Sequence, residues 1–198
     1  IAYEKFIHEL KSGEIYRILE ENPVLARFIG TTFKHWKKSS IDLLNRLQTD
    51  RASIESTFGV AQSEVVIDVK LDLSDSHRGG QQVVILEFES GKRLVYKPKS
   101  LETEALYKNI LSQFQSWGLP IELPAPSIID KSSYGWVEFI HARDCNAESE
   151  VEQYYLAVGA QLFLFYLLGG TDLHFENVIA SGKYAYIIDM ETLIHGRI

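Results

Sequence analysis

The stretch that decides the fold lies near the end of the chain. It reads Gly169-Gly170-Thr171-Asp172-Leu173-His174-Phe175-Glu176-Asn177-Val178-Ile179-Ala180, and it is followed by Tyr186-Ile187-Ile188-Asp189-Met190-Glu191-Thr192. Polar side chains are set here between apolar runs: Asp172 and Asn177 stand five positions apart, and Asp189 comes twelve positions after Asn177. The pattern predicts a polar loop and then a short apolar strand with an acidic end.

The acidic end of that strand predicts a cation site. Ile187 and Ile188 are β-branched and favour a short buried strand. Asp189 and Glu191 are two positions apart, so their carboxylates face the same side of an extended chain. Two carboxylates on one face repel each other unless a cation or a positive side chain lies between them. We therefore expect either a cation or a positive side chain between Asp189 and Glu191.

The spacing of the polar loop indicates phosphoryl transfer. Asp172 and Asn177 have the separation of the D-x-x-x-x-N catalytic loop of protein kinases, and Asp189 stands where a kinase has its magnesium-binding Asp. Such a loop supplies a carboxylate that orients or accepts the proton of a hydroxyl, beside oxygen ligands for the metal. The Asp and Asn pair alone is equally typical of a turn or a cap.

Composition narrows the class of protein. The chain has 198 residues, of which 45% are hydrophobic, and a net charge of −7. This excludes a general nucleic-acid binder and predicts a folded core, while an anionic ligand would need local positive charge or metal. No apolar run is long enough to span a membrane, and Cys145 is the single cysteine, so we expect a cytoplasmic protein. The chain starts without Met, and we interpret it as a piece of a longer protein.

Three regions follow from the periodicity. Residues 1–62 keep approximate helical spacing and predict a helical N-terminal cap, residues 63–140 predict a kinase-like N-lobe with an antiparallel sheet and one helix, and residues 141–198 predict the truncated start of a C-lobe. The expected fold class is therefore α+β, a lipid-kinase-like or protein-kinase-like core preceded by helices. The apolar positions of the cap are Phe33, Trp36, Ile41, Leu44, Leu47, Ile54 and Phe58.

Two features of the predicted sheet carry chemistry. Its strands are expected at 65–73, with alternate residues half-buried, and at 83–89 and 93–97. The loop after the first strand contains Asp75, His77, Gly79 and Gly80, and its glycines would let backbone N–H groups approach nucleotide phosphates, although a plain hairpin loop explains it equally well. Lys97, at the end of the third strand, occupies the position of the kinase lysine that holds these phosphates. A solvated lysine is the alternative.

The remaining elements are placed by apolar patterns. Residues 101–117 predict a helix with Leu106, Ile110, Leu111 and Phe114 on its apolar face. Glu102 and Glu104 are candidates to pair with Lys97, and the choice stays open. Residues 134–140 predict a strand that leads to a hinge at 141–144. Residues 151–168 predict a helix buried on most sides, capped at Gly169-Gly170.

Together these motifs resemble a known family. The segments Thr171–Ala180 and Ile188–Leu193, with Leu94–Leu101 and Asp75-Ser76-His77, are similar to the dehydratase domain of class II lanthipeptide synthetases, the LanM family. The resemblance runs from about residue 60 to the end. It implies a kinase-like enzyme that uses ATP and Mg²⁺ to phosphorylate Ser and Thr of a leader-bearing precursor peptide and then eliminates phosphate, leaving dehydroalanine and dehydrobutyrine.

The resemblance also implies residue roles. Asp172 would position or deprotonate the peptide hydroxyl, with His174 and Asn177 supporting the loop. Asp189 and Glu191 would hold Mg²⁺, with Asn177 also near the metal. The phosphate side would be lined by Lys97, Asp75, His77, Gly79 and Gly80, and the first three would also serve elimination.

Other interpretations stay open. A kinase that stops at the phosphate ester and a noncatalytic module that binds nucleotide or peptide would carry the same strands and lysine. Protein kinases have no histidine two positions after the catalytic Asp. Asp172 and His174 could instead be metal ligands, since both residue types bind metals. The family eliminates phosphate with an Arg and a Thr further downstream and cyclises in a zinc-containing domain. Neither falls within this chain, so the remainder of a larger synthetase is an expected partner.

Overall fold

Helices precede a sheet in the computed structural model, which describes residues 2–71, 81–171, 173–190 and 192–193. The helices are α1 (Ala2–Glu9), α2 (Ile15–Glu21) and α3 (Pro23–Phe58), with a kinked turn at Leu10–Glu14 between the first two. Pro23 begins α3, where its missing N–H costs nothing. Of the described residues, those up to Thr49 and Gln81-Gln82 form one compact unit, and those from Asp50 to Leu71 and from Val83 onward form a second.

The apolar stripe predicted for the helical cap is only partly buried. Leu47 and Ile54 are buried, whereas four residues nearer the start of α3 are more than two-fifths exposed. These four are Phe33, Trp36, Ile41 and Leu44. The helical periodicity thus identified the helix correctly, but only its C-terminal part carries buried stripe positions.

The second unit is built on a five-stranded antiparallel sheet. Its strands are β1 (Val66–Lys70), β2 (Val84–Phe88), β3 (Arg93–Lys97), β4 (Ile128–Asp130) and β5 (Gly135–Glu138), in the spatial order β1-β2-β3-β5-β4. β3 is central and pairs with β2 and β5. The strand predicted at 93–97 is present with the same bounds, and those predicted at 83–89 and 134–140 are present in shorter form. β4 was not predicted, because the prolines at 120, 124 and 126 gave its surroundings the pattern of a loop.

The first strand departs from its prediction. Val65, Ile67, Val69 and Leu71 alternate as expected for a half-buried strand, but each is between 46% and 60% exposed. β1 lies at the edge of the sheet and pairs on one side only, with β2. Period-two alternation therefore identified a strand here but not a buried face.

A buried carboxylate joins the end of α3 to the sheet. Asp50 is 2% exposed. It accepts hydrogen bonds from Trp136 Nε1 at 2.8 Å and from the Tyr134 hydroxyl at 2.9 Å, and Lys131 Nζ lies 3.0 Å from its other oxygen. Burial alone would raise the pKa of Asp50, but the bonds from Trp136, Lys131 and Tyr134 together lower it. The carboxylate therefore stays ionised within the core.

Two helices and a hairpin complete the second unit. α4 (Glu102–Ser116) and α5 (Glu148–Leu167) pack with a hairpin of β6 (Val178–Ser181) and β7 (Tyr184–Ile187). The buried cluster they form comprises Tyr107, Leu111, Leu123, Ala157, Leu164, Phe165, Ala185, Ile187, Met190 and Leu193. On α4, Leu111 is buried as expected, but Leu106 is 44% exposed and Tyr107 takes its place.

The prediction that α5 is buried on most sides is wrong for the described structure. One face, with Ala157, Gln161, Leu164 and Phe165, is buried. Leu162, Phe163, Tyr166 and other apolar residues of the opposite face are more than half exposed. Continuous apolar composition shows that a helix has no polar face, but it does not show which positions find a partner.

The end of α5 follows its prediction closely. Gly169 has a φ of 73°, a left-handed conformation that favours glycine. Its N–H donates to the Tyr166 carbonyl at 3.2 Å, and the Gly170 N–H donates to the Phe165 carbonyl at 2.8 Å. This bond pattern is a Schellman motif. A Cβ on Gly170 would lie 2.7 Å from Phe165 Cδ1. Gly170 is therefore needed for close packing between the end of the helix and the polar loop.

Candidate active site

Lys97 is held between three elements of the second unit. It ends β3, pairs in register with Gly135 of β5, and is only 7% exposed. Its ammonium donates to Glu104 Oε1 of α4 at 3.2 Å and to the Ile188 carbonyl at 2.6 Å. A buried ammonium needs such partners, because its desolvation is otherwise strongly unfavourable. The alternative of a solvated strand-end lysine is therefore wrong.

Glu104 is the partner that the sequence left unassigned. Its side chain is 11% exposed, close to the 9% of Lys97, so the two charges form a shielded pair. Glu104 lies in the first turn of α4, where a carboxylate also interacts favourably with the helix dipole. Protein kinases place this glutamate further along the sequence from the lysine, and for that reason the sequence did not single out Glu104. The connection through Pro98 is short enough to bring the start of the helix directly onto the strand end.

The start of α4 is fixed by the β4–β5 turn. Asp130 Oδ1 accepts the backbone N–H groups of Leu101 and Ser132, each at 3.0 Å. Leu101 is fully buried and packs against Gly135, where a Cβ would lie 2.3 Å from Leu101 Cδ1 and 2.7 Å from the Ile129 carbonyl oxygen. Only glycine fits at this position. The close approach fixes the helix start that carries Glu104.

The β6–β7 hairpin brings Asn177 and Asp189 to one end. Val178 pairs with Ile187, and the ladder continues when the Ile188 N–H donates to the Asn177 carbonyl at 3.0 Å. Asn177 thus enters the hairpin where Asp189 leaves it. The sequence predicted a strand at 187–188 but missed its partner β6. The twelve positions between Asn177 and Asp189 are what one tight hairpin requires.

The Ile188 carbonyl links the two halves of the candidate site. It accepts the bond from Lys97 and belongs to the residue directly before Asp189. Lys97 therefore binds the backbone directly before Asp189, although the two residues are 92 positions apart in the sequence.

Asp189 faces a second lysine. Lys99 Nζ lies 3.2 Å from Asp189 Oδ1, and the two side chains are 28% and 44% exposed. A carboxylate with this exposure can still bind a cation that keeps several waters, as Mg²⁺ does. Lys99 lies within the Leu94–Leu101 segment of the family resemblance, in which only Lys97 was given a role.

His174 lies at the open side of the loop. Its side chain is 42% exposed, its Nδ1 is 3.8 Å from Glu176 Oε2, and its ring contacts Phe175 edge-on at 6.2 Å between centroids. The described residues contain no group of three or more His, Cys, Asp or Glu arranged to hold a metal ion. The predicted roles of Asp172, Glu191, Asp75, His77, Gly79 and Gly80 fall on residues outside the described ranges.

The hairpin is tied to the helices by a buried polar chain. The Tyr107 hydroxyl of α4 donates to Gln161 of α5, whose amide donates in turn to the Ala185 carbonyl of β7 at 2.5 Å. Burial raises the pKa of Tyr107 well above its usual range, which keeps the hydroxyl protonated as a donor. Both helices thereby fix the position of the strand that leads to Asp189. The hydrophobic periodicity did not predict these hydrogen bonds, because it does not show which partners a single polar residue such as Gln161 finds within an apolar run.

A short bridge anchors the other end of the hairpin. The Arg143 N–H donates to the Ala180 carbonyl at 3.0 Å, and the Gly182 N–H donates back to the Arg143 carbonyl at 2.9 Å. Arg143 Nε also donates to Ser181 Oγ at 3.0 Å. The segment predicted as a hinge is therefore hydrogen-bonded to β6.

The fold and site define an α+β protein in which a buried Lys–Glu pair contacts the backbone beside an exposed carboxylate. Residues 22–197 match the family described as "Domain of unknown function (DUF4135)", and the chain belongs to this family. It is also 27% identical over 203 residues to the lacticin 481/lactococcin biosynthesis protein LcnDR2 of Lactococcus lactis subsp. lactis.

These matches confirm the resemblance to class II lanthipeptide synthetases that the motifs predicted. The alignment with LcnDR2 covers 98% of the chain but only 22% of the relative, so the chain spans about a fifth of that protein's length. Among the described residues, no helix combines the length and apolar character needed to cross a membrane.

Proposed function

We propose that this chain contributes the ATP-binding part of a lanthipeptide synthetase dehydratase. The observation that carries the proposal is the double contact of Lys97, to Glu104 of α4 and to the carbonyl before Asp189. A lysine so placed ties the sheet and the helix to the hairpin end where metal ligands are expected. The similarity to a lacticin 481 biosynthesis protein supports the substrate class, a precursor peptide with a leader.

The donor set suits Mg²⁺. Asp189 offers a partly exposed carboxylate, and Asn177 lies at the same hairpin end with an amide oxygen available by residue type. Both are hard oxygen donors of the kind that magnesium prefers, and Glu191 would add a third. When bound, the metal would neutralise charge on the nucleotide phosphates. We therefore propose a kinase-like core with ATP and Mg²⁺ as cofactors.

In the proposed reaction, Asp172 orients the peptide hydroxyl and accepts its proton, while the γ-phosphoryl group moves from ATP to the hydroxyl oxygen and ADP leaves. Lys97 and, by family resemblance, Asp75 and His77 hold the phosphate side. His174 and Asn177 support the loop. Elimination then removes the α-proton of the phosphorylated residue and expels phosphate, which leaves a carbon–carbon double bond. The groups for elimination and the zinc-dependent cyclisation would come from other parts of a synthetase.

Mass spectrometry of a precursor peptide tests the proposal. The full-length parent protein is incubated with a Ser- and Thr-bearing precursor peptide, ATP and Mg²⁺. The variants Asp172→Asn and Asp189→Asn and the control Lys183→Gln are treated in the same way. Lys183 makes an ion pair with Glu122 at 3.1 Å in the turn of the same hairpin, away from Asn177 and Asp189. We expect loss of water with wild type and control, and a rate lower by at least about two decades in both Asp variants.

The other outcomes select the alternatives. A phosphopeptide that accumulates without loss of water would mean a phosphotransferase that does not eliminate. An unchanged peptide mass together with nucleotide binding would mean a noncatalytic module. Equal activity of Asp189→Asn and Lys183→Gln would remove Asp189 from the metal site.

A further inference from the structure

Two lysines separated by one proline occupy different environments at the candidate site. The Lys97 side chain is 9% exposed and is held by Glu104 and by a backbone carbonyl. The Lys99 side chain is 28% exposed and contacts the Asp189 carboxylate. The first lysine is therefore fixed inside the fold, whereas the second is more exposed and contacts the proposed metal ligand.

The position of Lys99 conflicts with a cation bound at Asp189. An ammonium 3.2 Å from Oδ1 repels a divalent cation bound to the same carboxylate, because both positive charges would lie within a few ångströms of one oxygen pair. The lysine stem is flexible and its contact with Asp189 is partly exposed, so the ammonium can change its partner. A nucleotide phosphate beside the cation would offer it a stronger partner.

We propose that Lys99 is a positioning residue that holds Asp189 in the nucleotide-free protein and transfers to a phosphate oxygen when a magnesium–nucleoside triphosphate complex binds. The inference rests on the proposed function, since it takes Asp189 as a magnesium ligand. It assigns different tasks to the two lysines: Lys97 holds the phosphate side from a fixed position inside the fold, and Lys99 exchanges between the Asp189 carboxylate and a phosphate oxygen.

The exchange predicts two effects of opposite sign. Replacing Lys99 by a neutral side chain removes the competing ammonium, so a divalent cation alone binds about twofold to fivefold more tightly. The same change removes a charge-assisted bond to phosphate, so the magnesium–nucleotide complex binds about tenfold or more weakly. A lysine that only supports the local structure would lower both affinities together or neither.

The test compares Lys99→Gln and Lys99→Arg with Lys183→Gln in the intact protein. Mn²⁺ binding is followed by its electron paramagnetic resonance signal, since manganese suits the same oxygen ligands. Binding of a nonhydrolysable ATP analogue with Mg²⁺ is followed by calorimetry. Asp189→Asn is the control that assigns the manganese signal to this site, and thermal unfolding checks that each variant is folded.

Support requires tighter Mn²⁺ binding and weaker nucleotide binding in Lys99→Gln, no change in Lys183→Gln, and recovery of nucleotide affinity in Lys99→Arg. If Lys99→Gln weakens Mn²⁺ and nucleotide binding together, the role of Lys99 is overturned. The same holds if its affinities match those of Lys183→Gln. In both cases nucleotide binding by the wild type leaves the proposed function standing. Mn²⁺ binding that survives Asp189→Asn also overturns it, because the cation is then elsewhere. If wild type binds no nucleotide, the proposed function fails and this inference fails with it.

Discussion

The two sides of the candidate site differ in how they are held. On the inner side, Lys97 and Glu104 are each about one-tenth exposed and satisfy one another. On the outer side, Lys99, Asp189 and His174 are between 28% and 44% exposed. The difference teaches that the inner pair belongs to the fold, whereas the outer groups are left accessible to a ligand. Preorganised support behind an open contact surface is what a binding site needs.

This comparison predicts that changes on the inner side cost stability as well as nucleotide binding, whereas changes on the outer side cost binding with little loss of stability. The largest effect is expected for Lys97→Met, which leaves the Glu104 charge buried without its partner. We expect the free energy of unfolding to fall by about 3 kcal/mol or more. Urea denaturation of Lys97→Met, Glu104→Leu and the double variant measures it. A double variant as unstable as the sum of the singles would show that the pair does not act as a unit.

The next largest loss of stability is expected at Asp50, which binds the end of α3 to the sheet through Trp136, Tyr134 and Lys131. Asp50→Asn loses a charged acceptor of three donors, and we expect a loss of about 2 kcal/mol at pH 7. Because the folded pKa of Asp50 lies below the ordinary value of an aspartate side chain, this stability is present above that ordinary value and is lost as the pH falls through the folded pKa. Denaturation at neutral and acid pH should therefore show the two proteins converging in acid. A constant difference would contradict an ionised Asp50.

Gly135→Ala tests the packing behind the inner side. The added Cβ would lie 2.7 Å from the Ile129 carbonyl oxygen, a backbone atom that cannot rotate away. We expect destabilisation of about 1–3 kcal/mol. Gly91→Ala is the comparison at a glycine where a Cβ meets nothing within 4 Å, although its φ of 80° brings its own strain. Gly135→Ala should also lower nucleotide affinity, because the helix start that carries Glu104 must shift. Unchanged nucleotide affinity would separate this packing from the site.

The smallest change in stability is expected for Asp189→Asn. Its side chain is 44% exposed and its contact with Lys99 is a surface ion pair, so the free energy of unfolding should change by less than about 1 kcal/mol. Binding of divalent cations should nevertheless be lost. Thermal unfolding measured beside manganese titration gives both quantities. A strongly destabilised Asp189→Asn would place Asp189 in the framework and break the division into two sides.

Much of the local structure could be predicted because it depends on neighbours in the chain. The strand ending at Lys97, the helix that follows it and the glycine stop of α5 each have a pattern within about twenty residues. Gly169 shows the reason: a left-handed residue after a long helix favours glycine whatever the rest of the fold does. The roles of Lys97, Asn177 and Asp189 were predicted from spacing, and they remain proposals that the variants above test.

What could not be predicted depends on contacts between distant segments. Glu104 was left open because the approach of α4 to β3 is set by Leu101 packing on Gly135. The buried faces of β1 and α5 were misjudged because alternation and apolar composition do not say which side has a neighbour. Asp50 gave no signal at all, since its three donors lie more than eighty positions away.

Short-range propensity and residue spacing in the sequence carried enough information for most of the helices and strands, though not for β4 or β6, and for the family resemblance. Only the tertiary structure decided that Lys97 meets Glu104 and the Ile188 carbonyl, and that Lys99 faces Asp189. The contacts of Lys97 exist because the desolvation of a buried charge must be balanced by a partner that the packing brings near, whereas the more exposed pair of Lys99 and Asp189 needs no such balance. Packing is a property of the whole unit and not of any one stretch.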